Sequence, residues 1–142
     1  MPVDGPVYPV NLLLGDRRCL VVGGGRVATG KVRGLLDANA VVTVVAPDIV
    51  DEIEALPVEV ERRSYRRGDA RGYRFVIAAT GDPIVNQAVF EDGEAAGVWV
   101  NAADDPDRCS ATLPARIRRG DVLVTVSTGG RSPAVAAWLR DR

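Results

Sequence analysis

The sequence predicts an α/β fold: an open, mostly parallel sheet with helices on both faces. Three observations point there. Short apolar, β-branched runs alternate with helix-periodic segments along most of the chain. A glycine cluster separates the first strand from the first helix. The 142 residues, 46% hydrophobic and 26% charged, make one domain's worth of globular chain.

Taken in order, 18–22 (RCLVV) is a short apolar run that stops at three glycines, hence a buried strand. Residues 26–38 set Val27, Leu35, Leu36 and Ala38 among Arg, Lys and Asp, hence a helix. Residues 41–45 (VVTVV) form strand two. Residues 48–55 make a short helix, for which Asp48 after Pro47 is a candidate cap. Residues 58–63 alternate and form strand three near a sheet edge. Strand four is 74–79 (RFVIAA). A helix over 83–96 starts with Asp82 as N-cap and Pro83 in its first turn. Strand five is 98–101 (VWVN). From residue 112 the pattern changes to two strands turned at Gly120-Asp121, then GGRSP and a helix that runs to the last residue. Residues 1–111 therefore read as one α/β domain. Residues 112–142 read as the start of a smaller region whose uncovered apolar faces call for a second subunit, and that region is expected to be truncated.

Composition excludes several classes. A net charge of −1 argues against a nucleic-acid or polybasic membrane binder. No apolar run approaches the ~20 residues of a membrane span. MPVDGPVYPV, with its acid and prolines, is no secretory signal. The expected compartment is the cytoplasm. With no histidine, Ser-His-Asp and Cys-His catalysis and the common zinc sites fall away, and no metal ligands are assigned. Cys19 reads as a buried small hydrophobe and Cys109, in a polar stretch, as an exposed thiol; no disulfide is expected. All basic residues but Lys31 are arginine, a bias read mainly as that of a GC-rich genome and secondarily as suited to anionic ligands.

Gly23-Gly24-Gly25-Arg26-Val27-Ala28 fits G-x-G-x-x-A between a strand and a helix, the context of a dinucleotide-binding, Rossmann-like turn. Gly23 permits the tight turn, Gly25 lets a pyrophosphate approach the backbone, and Ala28 lets the helix pack close. The first helical N–H groups then face the anion. Asp48, just past strand two, is placed either for the ribose hydroxyls or for capping; with no Arg over 46–50, NAD is preferred to NADP. Strand four ends in Ala78-Ala79-Thr80-Gly81-Asp82 with Asn86 beyond, and strand five in Asn101 followed by Ala102-Ala103-Asp104-Asp105-Pro106. Asn86 and Asn101 are candidates to hydrogen-bond a cofactor or substrate. Without histidine, Asp104 is the best candidate acid or base. Ser127-Thr128-Gly129-Gly130-Arg131-Ser132-Pro133 is a second glycine-rich turn suited to an anion.

Together YPVNLLLGDRRCLVVGGGRVATGK, VVAPD, VIAATGDPIVN, VNAADDP and VTVSTGGRSP, in this order, resemble the N-terminal module of siroheme synthase, the precorrin-2 dehydrogenase family. The resemblance runs from about Tyr8 to Leu139. It implies an NAD-dependent, homodimeric enzyme that oxidises precorrin-2 to sirohydrochlorin, some members also inserting Fe²⁺ to make siroheme. It implies cofactor contacts at Gly23, Gly24, Gly25, Arg26, Val27, Pro47 and Asp48, with Thr80 nearby, and Asp104 as general base. It puts Asn101, Ser127, Thr128, Gly129 and Arg131 near the tetrapyrrole, with Arg108 and Arg116 as further partners for its carboxylates. Gly81 stands where the family commonly has an aspartate, which puts ferrochelation in doubt. The alternative from another class is a non-catalytic NAD-sensing module.

Overall fold

The computed structural model describes residues 6–127 together with Trp138 and Asp141. Five parallel strands, β1 (Arg18–Val22), β2 (Val41–Ala46), β3 (Glu59–Arg62), β4 (Phe75–Ala78) and β5 (Trp99–Ala102), form one sheet in the order β3-β2-β1-β4-β5. The apolar runs are strands because the sheet is covered on both faces, so neither set of alternating side chains meets water. On one face α1 (Arg26–Asp37) buries Ala28, Val32 and Leu35, and α2 (Asp51–Glu54) adds Ile53, against Cys19, Val21, Val42, Val44 and Ile77. On the other, α3 (Pro83–Ala96) buries Val89 among Leu20, Val22, Val76 and Val100. Each such aliphatic side chain removed from water stabilises the fold by about 1.5–3 kcal/mol. β3 is the edge strand expected from its alternation and is largely exposed.

The sequence reading places every strand to within a residue or two. It also places α3, where the Asp82 carboxylate accepts the Ile84 N–H at 2.9 Å beside Pro83. Two expectations are corrected. The short helix shrinks to Asp51–Glu54 with Val50 before it and no side-chain cap, so Asp48 is not a cap. Val27 lies half exposed on the first turn of α1, while Ala28 and Val32 take the buried face. Cys109 is buried rather than exposed, because residues 109–111 fold back along β5, where Ser110 and Ala111 donate to the Val100 carbonyl. Both thiols are free, and burial pushes Cys19 up to about 11, which keeps it protonated and inert.

β6 (Ala115–Arg119) and β7 (Val122–Val126) form the expected antiparallel hairpin about Gly120, whose φ is +57°. Between β3 and β4 the chain makes a turn-rich loop that the sequence reading left unassigned. Tyr65 donates to Asp92 of α3 at 2.6 Å and the Gly68 N–H donates to the same carboxylate at 2.8 Å. No helix among the described residues is long and apolar enough to cross a membrane.

Candidate dinucleotide site and acid turn

The strand order reverses beside β1: β2 lies on one side and β4 on the other. That switch point opens a crevice at the carboxyl ends of the strands. The register aligns three of those ends, Val22 beside Ala78 and Ala78 beside Ala102. Whatever follows these residues shares one sheet edge.

After Val22 comes the glycine turn. Gly23 has a φ of +129°, and a Cβ there would stand 2.3 Å from the Ala79 carbonyl oxygen. A Cβ on Gly24 would stand 2.1 Å from the Asp48 carbonyl oxygen, while its own carbonyl accepts the Val50 N–H at 2.9 Å. The turn is thus pressed between the β4 end and the β2–α2 connection. Gly25 is different: nothing lies within 4 Å of its missing Cβ. It begins α1 with no side-chain cap and no acid in the first turn. The free N–H groups of that turn therefore face an open space bordered by glycine, the arrangement that receives a phosphate. These residues fit a dinucleotide pyrophosphate. Arg26 and Val27 are exposed on the same turn, and Pro47 and Asp48 are exposed beside Gly24.

After Ala78, the Thr80 hydroxyl donates to the Asn86 side-chain oxygen at 2.7 Å and accepts the Asp82 N–H at 3.1 Å. The Asn86 amide donates to the Thr80 carbonyl at 3.1 Å. The expectation that Asn86 meets a ligand is corrected: it is buried and closes the β4–α3 turn. The Thr80 hydroxyl is spent on the same turn.

After Ala102, the Ala103 N–H donates to the Ala78 carbonyl at 2.9 Å and the Asp105 N–H to the Ala102 carbonyl at 3.2 Å. Asp104 forms the apex with a φ of +57°. It is exposed, and its carboxylate has no partner among the described residues. An open, uncapped helix start and an uncommitted carboxylate thus occupy one sheet edge with β4 between them.

This geometry meets a consistent set of relatives. A family model of NAD(P)-binding chains matches residues 10–115. The solved structure of SirC, precorrin-2 dehydrogenase, matches with a TM-score of 0.85 at 32% identity, covering 95% of this chain and 68% of that one. The chain belongs to the precorrin-2 dehydrogenase family. Siroheme synthases of Methylococcus capsulatus and Azotobacter vinelandii are each 44% identical, over 94% and 91% of this chain. The chain spans about 29% of the length of these curated relatives.

Within that family frame the substrate candidates divide. Asn101 is buried and its amide donates to the Ala111 carbonyl at 3.0 Å, so its donors serve the strand's own turn. Arg108 is corrected as a free carboxylate partner: it holds Asp105 and Gln87. Arg116 lies beside Gly34 of α1, where an added Cβ would meet its guanidinium, and it remains a candidate partner for a substrate carboxylate. Ser127 is exposed at the end of the hairpin. Thr128, Gly129, Arg131 and the helix expected over 134–142 lie outside the described residues, apart from Trp138 and Asp141. A groove of about 560 Å³ runs along α3 past Ile84, Gln87, Arg67 and Arg108, away from the glycine turn. Sequence reading missed the role of Gly24, which is to admit the Asp48 carbonyl; its signal was a glycine at the variable position between Gly23 and Gly25.

Proposed function

We propose that this protein oxidises precorrin-2 to sirohydrochlorin with NAD⁺. The observation that carries the reading is the shared sheet edge, with the open Gly25 cradle at β1 and the uncommitted Asp104 carboxylate at β5. Bound NAD⁺ supplies the hydride acceptor. The Gly23–Gly25 turn and the first N–H groups of α1 hold its pyrophosphate. Arg26 would neutralise phosphate charge, Val27 would offer the cofactor an apolar contact, and Pro47 and Asp48 would serve the adenine ribose. An acid there, without an arginine over 46–50, favours NAD over NADP.

Dehydrogenation removes a hydride and a proton from the macrocycle, and Asp104 receives the proton. A carboxylate suits that task because it can accept a proton, and its exposed position lets it pass the proton to water. Asn101 shapes the turn from inside, and Ser127, Thr128, Gly129 and Arg131 are the proposed contacts for the tetrapyrrole. Calorimetric titration tests the cofactor half: NAD⁺ binds more tightly than NADP⁺, and equal affinities would refute the assignment of Asp48.

The assembly is a homodimer through residues 112–142. Val122 and Val124 lie on one face of the hairpin and are 62% and 49% exposed, a surface that a second copy would cover. Sedimentation showing a strict monomer at high concentration would overturn this. Two buried free thiols suit a reducing cytoplasm.

A further inference from the structure

The turn that presents Asp104 is held by more than its own backbone. Asp104 occupies the left-handed region, which few non-glycine residues adopt unless their surroundings fix it. Beneath it, the Cys109 sulfur accepts the Ala102 N–H at 3.2 Å. Beside it, both oxygens of the Asp105 carboxylate accept from Nη1 of Arg108, at 3.1 and 2.9 Å. Nε of Arg108 donates to the Gln87 side-chain oxygen at 2.9 Å. The Gln87 amide in turn donates to Glu91 at 2.9 Å, which fixes its oxygen toward Arg108. A chain of four side chains therefore runs from α3 to the residue after Asp104.

This chain is partly exposed, where ion pairs contribute little to stability. Its effect is on orientation: it ties the β5 turn to the helix that leaves β4. We propose that Arg108 is a positioning residue for the oxidation, fixing the Asp104 carboxylate through Asp105 and Gln87. The proposal rests on the reading of Asp104 as proton acceptor. Lysine cannot replace Arg108 fully, because one ammonium cannot hold Asp105 and Gln87 in the same fixed plane.

The test is a double-mutant cycle on precorrin-2 oxidation, with NAD⁺ affinity and melting temperature measured for each protein. Arg108→Met is expected to lower kcat about tenfold to a hundredfold. It leaves NAD⁺ affinity unchanged, and it lowers kcat no further in the Asp104→Asn background. Arg108→Lys restores part of the loss. A loss that multiplies with that of Asp104→Asn, or no loss at all, overturns the proposal. Full turnover by Asp104→Asn would instead refute the proton-acceptor reading. Nuclear magnetic resonance separates the two. The strong intraresidue amide–Hα contact of left-handed Asp104 is expected to weaken in Arg108→Met and in Asp105→Asn. If it persists in both, the brace does not set the turn, whatever the activity.

Discussion

The glycine turn after β1 and the acid turn after β5 stand at one sheet edge and are built in opposite ways. The first is made of missing side chains: Gly23 and Gly24 admit the carbonyls of Ala79 and Asp48, and Gly25 leaves open space. The second is made of present ones, with Cys109, Asp105, Arg108 and Gln87 holding a left-handed aspartate. A turn set by backbone contact tolerates almost no substitution, because a carbonyl cannot be moved cheaply. A turn set by side chains loses orientation gradually as its bonds are removed.

That contrast can be broken first at the buried glycines. Gly24→Ala forces a Cβ onto the Asp48 carbonyl and is expected to cost about 2–3 kcal/mol in urea unfolding and to abolish NAD⁺ binding. An alanine accepted there without loss would show that the turn is not pressed from both sides. Gly25→Ala sharpens the point. Its Cβ meets nothing, so stability should hold, while NAD⁺ affinity falls about tenfold, or 1.4 kcal/mol, as the cradle fills. Unfolding and binding curves on one preparation separate these effects.

On the acid turn the expected losses of stability are smaller. Cys109→Ser keeps a hydroxyl near the Ala102 N–H but shortens the reach, at about 1 kcal/mol. Its melting temperature should fall modestly while NAD⁺ binding stays intact; a loss like that of Gly24→Ala would erase the distinction. The smallest effect lies away from both turns, at Asp69. Burial alone would raise its pKa, but the Arg63 hydrogen bond, the Arg66 N–H and their charges outweigh it and hold the carboxyl below its usual range. Its folded pKa is thus below the unfolded value, so its contribution is present above about pH 4 and fades as pH falls further. Wild type should exceed Asp69→Asn in stability at neutral pH, with the gap closing in acid. An equal gap at both ends contradicts the sign.

The two turns also differ in how they show in sequence. Three successive glycines between an apolar run and a helical pattern announce a backbone constraint, and the structure presses Gly23 and Gly24 as that constraint requires. Asp104 was legible as an acid beyond strand five. Its left-handed backbone was not, nor was its support, because Gln87 and Arg108 stand 21 positions apart with no periodic signal. Tyr65 and Asp92, 27 apart, were hidden for the same reason. Cys109 misled because its polar neighbours suggested a surface, whereas the chain there folds back along β5. Asp48 misled as a helix cap because the Val50 N–H donates to the Gly24 carbonyl and α2 starts only at Asp51.

The most direct test is anaerobic incubation of precorrin-2 and NAD⁺ with wild type and Asp104→Asn side by side, following NADH and the sirohydrochlorin spectrum together. The account predicts coupled formation of both by wild type, and a loss of about a hundredfold or more in the variant while NAD⁺ binding is retained. Equal turnover by the two proteins would remove Asp104 from the chemistry. NAD⁺ binding without turnover by wild type would contradict the account for this chain, as either a dinucleotide-sensing module or a piece lacking part of its substrate cleft.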